Sequence, residues 1–197
     1  MRLFKSHDPN LFHYVTTVTY HRVPVFRSER ACTIFIESLA ETRQQCPFKL
    51  VGYVIMPDHV HLIVNPQDSN ISNLMRRIKG LSARRILDWL RSAGHSTSLA
   101  KLALDTPQKR QHRHAVWLKD FSSIDLWSAR FVQQKLHYIH ANPVRAGFCA
   151  HPKDWKWSSY RAYYPHESGS VPIEIDWQAY WKSEGGDSGD SAGGARL

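Results

Sequence analysis

The sequence predicts an α+β fold: a four-stranded antiparallel sheet laid down as strand, helix, strand, strand, helix, strand, with two helices on one face and a further helix after the last strand. Three observations carry this. Segments rich in aromatic and β-branched residues alternate with segments whose apolar residues recur every three to five positions. Two strand-like segments, 48–56 and 59–64, are separated only by Pro57 and Asp58, a turn-forming pair that makes them a hairpin. The chain has 197 residues, 42% hydrophobic and 22% charged, which is long enough to enclose a core and close to globular composition.

Taken in order, LFHYVTTVTY at 11–20 has the composition of a first strand. Residues 29–45, ERACTIFIESLAETRQQ, place Ile34 and Leu39 at helical intervals, with Pro47 as a stop. The hairpin FKLVGYVIM and HVHLIV follows. Residues 71–92 carry Leu74, Ile78, Leu81, Ile86, Leu87 and Leu90 on one stripe and predict an amphipathic helix with Gly80 as a weak point. Residues 93–114 are polar and irregular, AVWLKDF at 115–121 reads as the fourth strand, and LWSARFVQQKLHYIHAN at 126–142 as a helix ended by Pro143. The first six elements are those of a ferredoxin-like sandwich, and the seventh is an added C-terminal helix.

Residues 1–150 therefore form one domain. Residues 151–182 turn aromatic and basic, with Trp155, Trp157, Tyr160, Arg161, Tyr163, Tyr164, Trp177 and Trp181, and are expected to pack on that domain as an extension. The stretch 183–197, SEGGDSGDSAGGARL, has almost nothing to bury and is expected to be a disordered tail. Lys and Arg outnumber Asp and Glu by 26 to 17, a net charge of +9 that suits a polyanionic partner without choosing which. The apolar runs are too short for a bilayer and residues 1–10 have no signal-peptide core, so a soluble cytoplasmic protein with no membrane partner is expected. Cys32, Cys46 and Cys149 lack metal or disulfide spacing and read as free thiols.

The chemistry-bearing residues start with His59-Val60-His61. A strand's two-residue period puts both imidazoles on one face, where they can chelate a divalent cation, or simply sit half-buried. The same pattern at His112-Arg113-His114 lies in a polar stretch and reads as solvated or, at most, phosphate-contacting. Far along the chain Tyr138 and Asn142 are four residues apart and share a helix face. Asn142 offers an amide oxygen, a hard ligand for magnesium or manganese, and Tyr138 a phenol able to attack a polarised phosphodiester. Core packing and helix capping would use the same two residues equally well. Arg76, Arg77, Lys79, Arg84, Arg85 and Arg91 surround the apolar stripe of 71–92, as a phosphate-tracking face or a solvated one. Lys135 falls on the side of Tyr138 and Arg145 follows Pro143, both able to meet phosphates near a cleavage point. Trp155, Trp157 and Tyr160 can stack on unpaired bases or fill the core.

The segments VIMPDHVHLIV and LHYIHANPVRAGF, followed by WKWSSYRAYY, closely resemble the REP-associated tyrosine transposases, which belong to the single-tyrosine HUH transposases. The resemblance runs over residues 10–165, with AVWLKDF departing from the family's usual VWQ-type strand ending. It implies a DNA endonuclease and strand transferase that acts on single-stranded, hairpin-forming extragenic palindromes; the sequence is compatible with a monomer or a homodimer. It also implies that His59, His61 and Asn142 hold a divalent cation, magnesium or manganese, and that Tyr138 is the nucleophile. A non-catalytic single-strand nucleic-acid-binding module of similar sheet is the main competitor, although no RNP-type aromatic signature is present. A histidine-triad hydrolase would need a histidine where Ile63 stands.

Overall fold

The structure, a computed structural model, describes residues 11–105, 113–164 and 170–176. His112, Trp177, Trp181 and the stretch 183–197 lie outside the described residues. The main elements are β1 (Phe12–Val18), α1 (Glu29–Gln45), β2 (Phe48–Met56), β3 (His59–Pro66), α2 (Ile71–Ser92), α3 (Ser96–Lys101), β4 (Ser122–Leu126), α4 (Ala129–Arg145) and the single turn α5 (Tyr160–Tyr163). The strands form one antiparallel sheet in the order β2-β3-β1-β4. This is the ferredoxin-like α+β architecture expected from the element order.

Strand alternation sorts the side chains into two cores. Val60, Leu62 and Val64 of β3 join Val15, Tyr53 and Ile55 under α1 and α2, which contribute Phe35, Leu39, Leu74 and Ile78. The opposite face presents Tyr14, Val54, Met56 and Ile63, covered by Val132 and Ile139 of α4. The molecule is thus α1 and α2, then sheet, then α4. His59 and His61 share the parity of Ile63, so the period of two delivers them to the face that α4 covers.

Residue chemistry fixes the helix starts. Asn70 caps α2 by accepting the Asn73 N–H at 2.9 Å, and Ser128 caps α4 by accepting the Phe131 N–H at 3.3 Å. Gly80 leaves α2 unbroken across all 22 residues. Gly52 has a packing role. It lies at an irregularity in the pairing of β2 with β3, and a Cβ there would stand 2.6 Å from Leu136 Cδ1 and 3.0 Å from Ile139 Cδ1. The helix that carries Tyr138 and Asn142 therefore rests directly on a glycine.

Three sequence expectations are corrected. The fourth strand is Ser122–Leu126 and not 115–121. In AVWLKDF the consecutive residues Val116 and Trp117 are both buried in the α1/α2 core, which a flat alternating strand cannot do, and only one bridge, Thr19 to Trp117, forms there. The last long helix starts at Ala129 rather than 126 and runs through Pro143 to Arg145. Beyond the proline, Ala146 N–H reaches the Asn142 carbonyl at 3.0 Å and Phe148 N–H the Pro143 carbonyl at 2.9 Å, and Gly147, at φ +74°, ends the turn. Within the polar segment 93–114, residues 96–101 form the short helix α3.

The segment after α4 lies along the β2 edge. Ile55 N–H donates to the Trp157 carbonyl at 2.9 Å, Ser159 N–H to the Tyr53 carbonyl at 2.9 Å, and Asp176 N–H to the Leu50 carbonyl at 2.8 Å. Trp155 packs on the α4-side core, donating Nε1–H to the Ile55 carbonyl at 3.1 Å, while Trp157 packs on the α1/α2 side. An edge strand's open hydrogen-bonding groups are satisfied in this way. Cys32, Cys46 and Cys149 are free thiols, and burial pushes Cys32 up to about 12. Among the described residues no helix is long and apolar enough to cross a membrane.

Candidate active site

The antiparallel register places His61 opposite Thr16 and His59 opposite Val18. Each imidazole is fixed from behind. His59 Nδ1–H donates to Asp58 Oδ1 at 2.6 Å, and the other carboxylate oxygen of Asp58 accepts from Arg22 at 3.0 Å. His61 Nδ1 lies 2.9 Å from the Tyr14 hydroxyl and 2.8 Å from Thr16 Oγ1. With both Nδ1 atoms engaged, the Nε2 atoms are the ones left to meet a ligand. The two rings stand edge to face with centroids 4.8 Å apart.

Electrostatics keep His61 a base. It is 5% exposed, and burial, helped by the neighbouring His59 and Lys135, pulls its pKa down to about 3. A neutral imidazole with a protonated Nδ1 keeps its lone pair on Nε2. Burial tends to raise the Asp58 carboxyl, but hydrogen bonds from His59 and Arg22 outweigh it and hold the group below its ordinary range. The Tyr14 phenol is raised by burial, against the Thr16 hydrogen bond and with a small push from Tyr138.

Helix α4 brings the rest. Asn142 Nδ2 sits 3.3 Å from His61 Nε2, and a half-turn of the amide would put Oδ1 at that place. Tyr138, one turn earlier, stands edge to face with His61 at 5.9 Å between centroids and with Tyr14 at 6.2 Å. The residue is 38% exposed, so its side chain is open to solvent. Lys135 Nζ lies 5.8 Å from the Tyr138 ring centre and Arg145 Cζ 5.0 Å. The donor set of two imidazoles with a neighbouring amide fits a hard or borderline divalent cation. Among the described residues no trio of His, Cys, Asp and Glu converges on one point, and Asn142 offers an amide beside the imidazole pair.

The fold therefore gathers His59, His61, Tyr138, Asn142, Lys135 and Arg145 around one spot. It does not bring the α2 cations there, because the apolar stripe of α2 docks on the opposite face of the sheet. Arg76, Arg77 and Arg84 are exposed on that far layer. Lys79 donates to the carbonyls of Leu118, Lys119 and Asp120 at 2.8, 2.8 and 3.2 Å, and Arg85 pairs with Glu41. His114 forms a bridge with Ala103 away from the sheet. Sequence reasoning missed Tyr14 and Thr16. Their alternation on β1 mirrors that of the histidines on β3, but only the register of two strands distant in the chain shows that they meet.

Comparison with known proteins points the same way. The family described as "Transposase IS200 like" matches residues 10–100. A candidate REP-associated tyrosine transposase of Haemophilus influenzae is 23% identical over 145 residues, 70% of this chain and 76% of that protein. A solved REP-associated tyrosine transposase, bound to a REP hairpin, matches 100% of this chain and 97% of its own at a TM-score of 0.62 and 18% identity, which speaks for the fold. A transposase structure from Deinococcus radiodurans, 22% identical over 65% of this chain and 87% of that one, aligns at a TM-score of 0.43. Motifs, family model and curated relative thus point in one direction: the chain is similar to the IS200-like transposases over residues 10–100 and to a REP-associated tyrosine transposase over most of its length.

Proposed function

We propose that the protein is a divalent-metal-dependent endonuclease and strand transferase acting on single-stranded DNA at hairpin-forming repetitive extragenic palindromes. The observation that carries this reading is the meeting of Tyr138 and Asn142 with His61, at 5.9 Å between rings and 3.3 Å between side-chain nitrogens, across 77 and 81 positions of sequence. Core packing alone would not leave Tyr138 38% exposed beside the two histidines. His59, His61 and Asn142 would hold the cation, magnesium or manganese, which when bound supplies Lewis-acid withdrawal of charge from a non-bridging phosphate oxygen.

The remaining chemistry belongs to the chain. The Tyr138 oxygen forms a bond to phosphorus as the bond from phosphorus to the 3′ oxygen breaks; the phenol proton passes to solvent and the departing 3′ oxygen takes one up. A 5′-phosphotyrosine and a free 3′-hydroxyl result. Phenolate leaves more readily than a sugar alkoxide, so a later 3′-hydroxyl can reverse the step and join strands without ATP. Asp58 on one side, and Tyr14 with Thr16 on the other, hold the imidazoles in the orientation the cation needs. Lys135 and Arg145 balance phosphate charge beside the nucleophile. Arg76, Arg77 and Arg84, on the far layer, are assigned to the duplex stem rather than to the cleavage point. Lys79 and Arg85 can join them only by exchanging their present partners.

The test is incubation with a REP-type hairpin oligonucleotide and magnesium or manganese. A denaturant-stable protein–DNA adduct is expected, absent after chelation and absent in Tyr138→Phe. Hairpin binding with no adduct under any metal would instead favour a non-catalytic binding module.

A further inference from the structure

Between β4 and α4 stands Trp127, 74% exposed, the most exposed large hydrophobic side chain among the described residues. It packs on Phe131 with centroids 4.9 Å apart. Lys135 Nζ lies 5.4 Å from the Phe131 ring centre and 5.8 Å from that of Tyr138, and Arg145 closes the row beyond Tyr138 at 5.0 Å. Rings and cations thus form one unbroken file from the start of α4 to the phenol.

We propose that Trp127, seated on Phe131, is a stacking platform for an unpaired base of the DNA strand flanking the scissile phosphate, with Lys135 holding the backbone in between. The inference rests on the reading of Tyr138 as nucleophile. Its own support is independent of the metal centre. A tryptophan that served only to clamp the helix entry would bury its indole, as helix-start staples do, whereas this one leaves three quarters of its surface to solvent. An aromatic face beside cations is the pairing that single-stranded nucleic acid uses, since every base offers a π-face and every linkage an anion. The net charge of +9 favours that partner over an apolar protein surface.

Spacing limits which base is meant. Phe131 and Tyr138 are seven residues apart, about 10 Å along a helix. The Trp127 ring lies 4.9 Å from that of Phe131, and stacked nucleotides rise about 3.4 Å each, so the platform reaches a base about three to five nucleotides from the attacked phosphorus, and fewer if the strand is extended. A base free to stack on an indole is unpaired, which assigns the position to the single-stranded flank rather than to the hairpin stem.

The test places 2-aminopurine at each flank position in turn in a hairpin oligonucleotide with short single-stranded arms. The wild type, Trp127→Ala and Trp127→Tyr are compared for fluorescence quenching, Kd, melting temperature and adduct yield. The expected result is quenching at one position within reach, lost in Trp127→Ala with a rise of about five- to 100-fold in Kd, and regained in Trp127→Tyr. Adduct formed normally by the wild type, with quenching and Kd unchanged in Trp127→Ala, would overturn the platform and leave the proposed reaction standing. A fall in melting temperature with quenching unchanged would likewise overturn it, as a packing role. Failure of the wild type to bind hairpin DNA or form adduct would remove the proposed reaction and the platform together.

Discussion

Replacing Gly52 by alanine tests whether α4 must sit as close to the sheet as it does. The new Cβ would stand 2.6 Å from Leu136 Cδ1 and 3.0 Å from Ile139 Cδ1, the first about 0.8 Å short of ordinary contact. Leu136 is half-buried and can turn away, but Ile139 is fully buried and cannot. Part of the clash must therefore be relieved by lifting α4. Overpacking of this kind costs about 1–2 kcal/mol, which for a chain of this size lowers the melting temperature by roughly 2–8 °C. A domain with ordinary stability of about 5–15 kcal/mol remains almost wholly folded after that loss. Its effect on rate should be larger, because Tyr138 and Asn142 flank Ile139 and a misplacement near 1 Å can cost about 100-fold. The assay is single-turnover adduct formation at saturating hairpin DNA and 25 °C, beside a thermal melt. The rate should fall by about 10- to 100-fold while the melt stays cooperative. Gly80→Ala, with nothing within 4 Å of the new atom on a helical backbone, should keep the rate and gain up to about 1 kcal/mol. Wild-type rate and melting in Gly52→Ala would refute the claim that α4 is seated on that glycine.

Other consequences can be checked separately. Asp58→Ala, which frees His59 Nδ1, should weaken manganese binding by about 10- to 100-fold in a calorimetric titration; unchanged affinity would mean the carboxylate does not orient that imidazole. His61 and His140 are both buried and held down to about 3 by burial first and neighbouring charge second. The unfolded chain takes up their protons below about 6.5 and the folded chain does not, so stability is complete above 6.5 and is lost as pH falls toward 3. Each contributes a slope of up to ~1.4 kcal/mol per pH unit. Urea midpoints of chelator-treated protein should drop from pH 6.5 to 4.5, and His140→Asn should flatten that drop. Replacing Arg76, Arg77 and Arg84 together by alanine should reduce the salt-dependence slope of hairpin binding by up to about three while adduct formation at saturating DNA persists; an unchanged slope would mark these side chains as merely solvated.

Much of this architecture was legible because its local signals agree. The bounds of α1 follow from apolar periodicity stopped by Pro47, those of α2 from periodicity alone, with the Asn70 cap found only in the structure, and the hairpin from Pro57-Asp58. The fourth strand was misplaced because AVWLKDF is richer in strand formers than SSIDL. The true β4 is an edge strand, largely exposed and polar, whereas Val116 and Trp117 owe their apolar character to a packing loop. Pro143 reads in the sequence as a stop for the last helix, yet a buried proline in the final turn forfeits one hydrogen bond while the following residues keep theirs. Of the site, strand parity gave the imidazole pair and helix spacing gave Tyr138 with Asn142. Tyr14 and Thr16 remained hidden, since they reach His61 only through the pairing of β1 with β3. The α2 arginines were visible as a cluster, but their layer was not, because a stripe does not tell which face of a sheet it will cover.

The central claim is that one phenol and one imidazole pair act on the same phosphate. Its most direct test is protease digestion of the adduct formed on hairpin DNA with manganese, followed by mass spectrometry of the nucleotide-bearing peptide. The account predicts a single modified site, Tyr138, lost when His59 and His61 are both replaced by alanine in a protein that still melts cooperatively. Attachment at another side chain, or a Tyr138 adduct that forms undiminished without the two histidines, would contradict it.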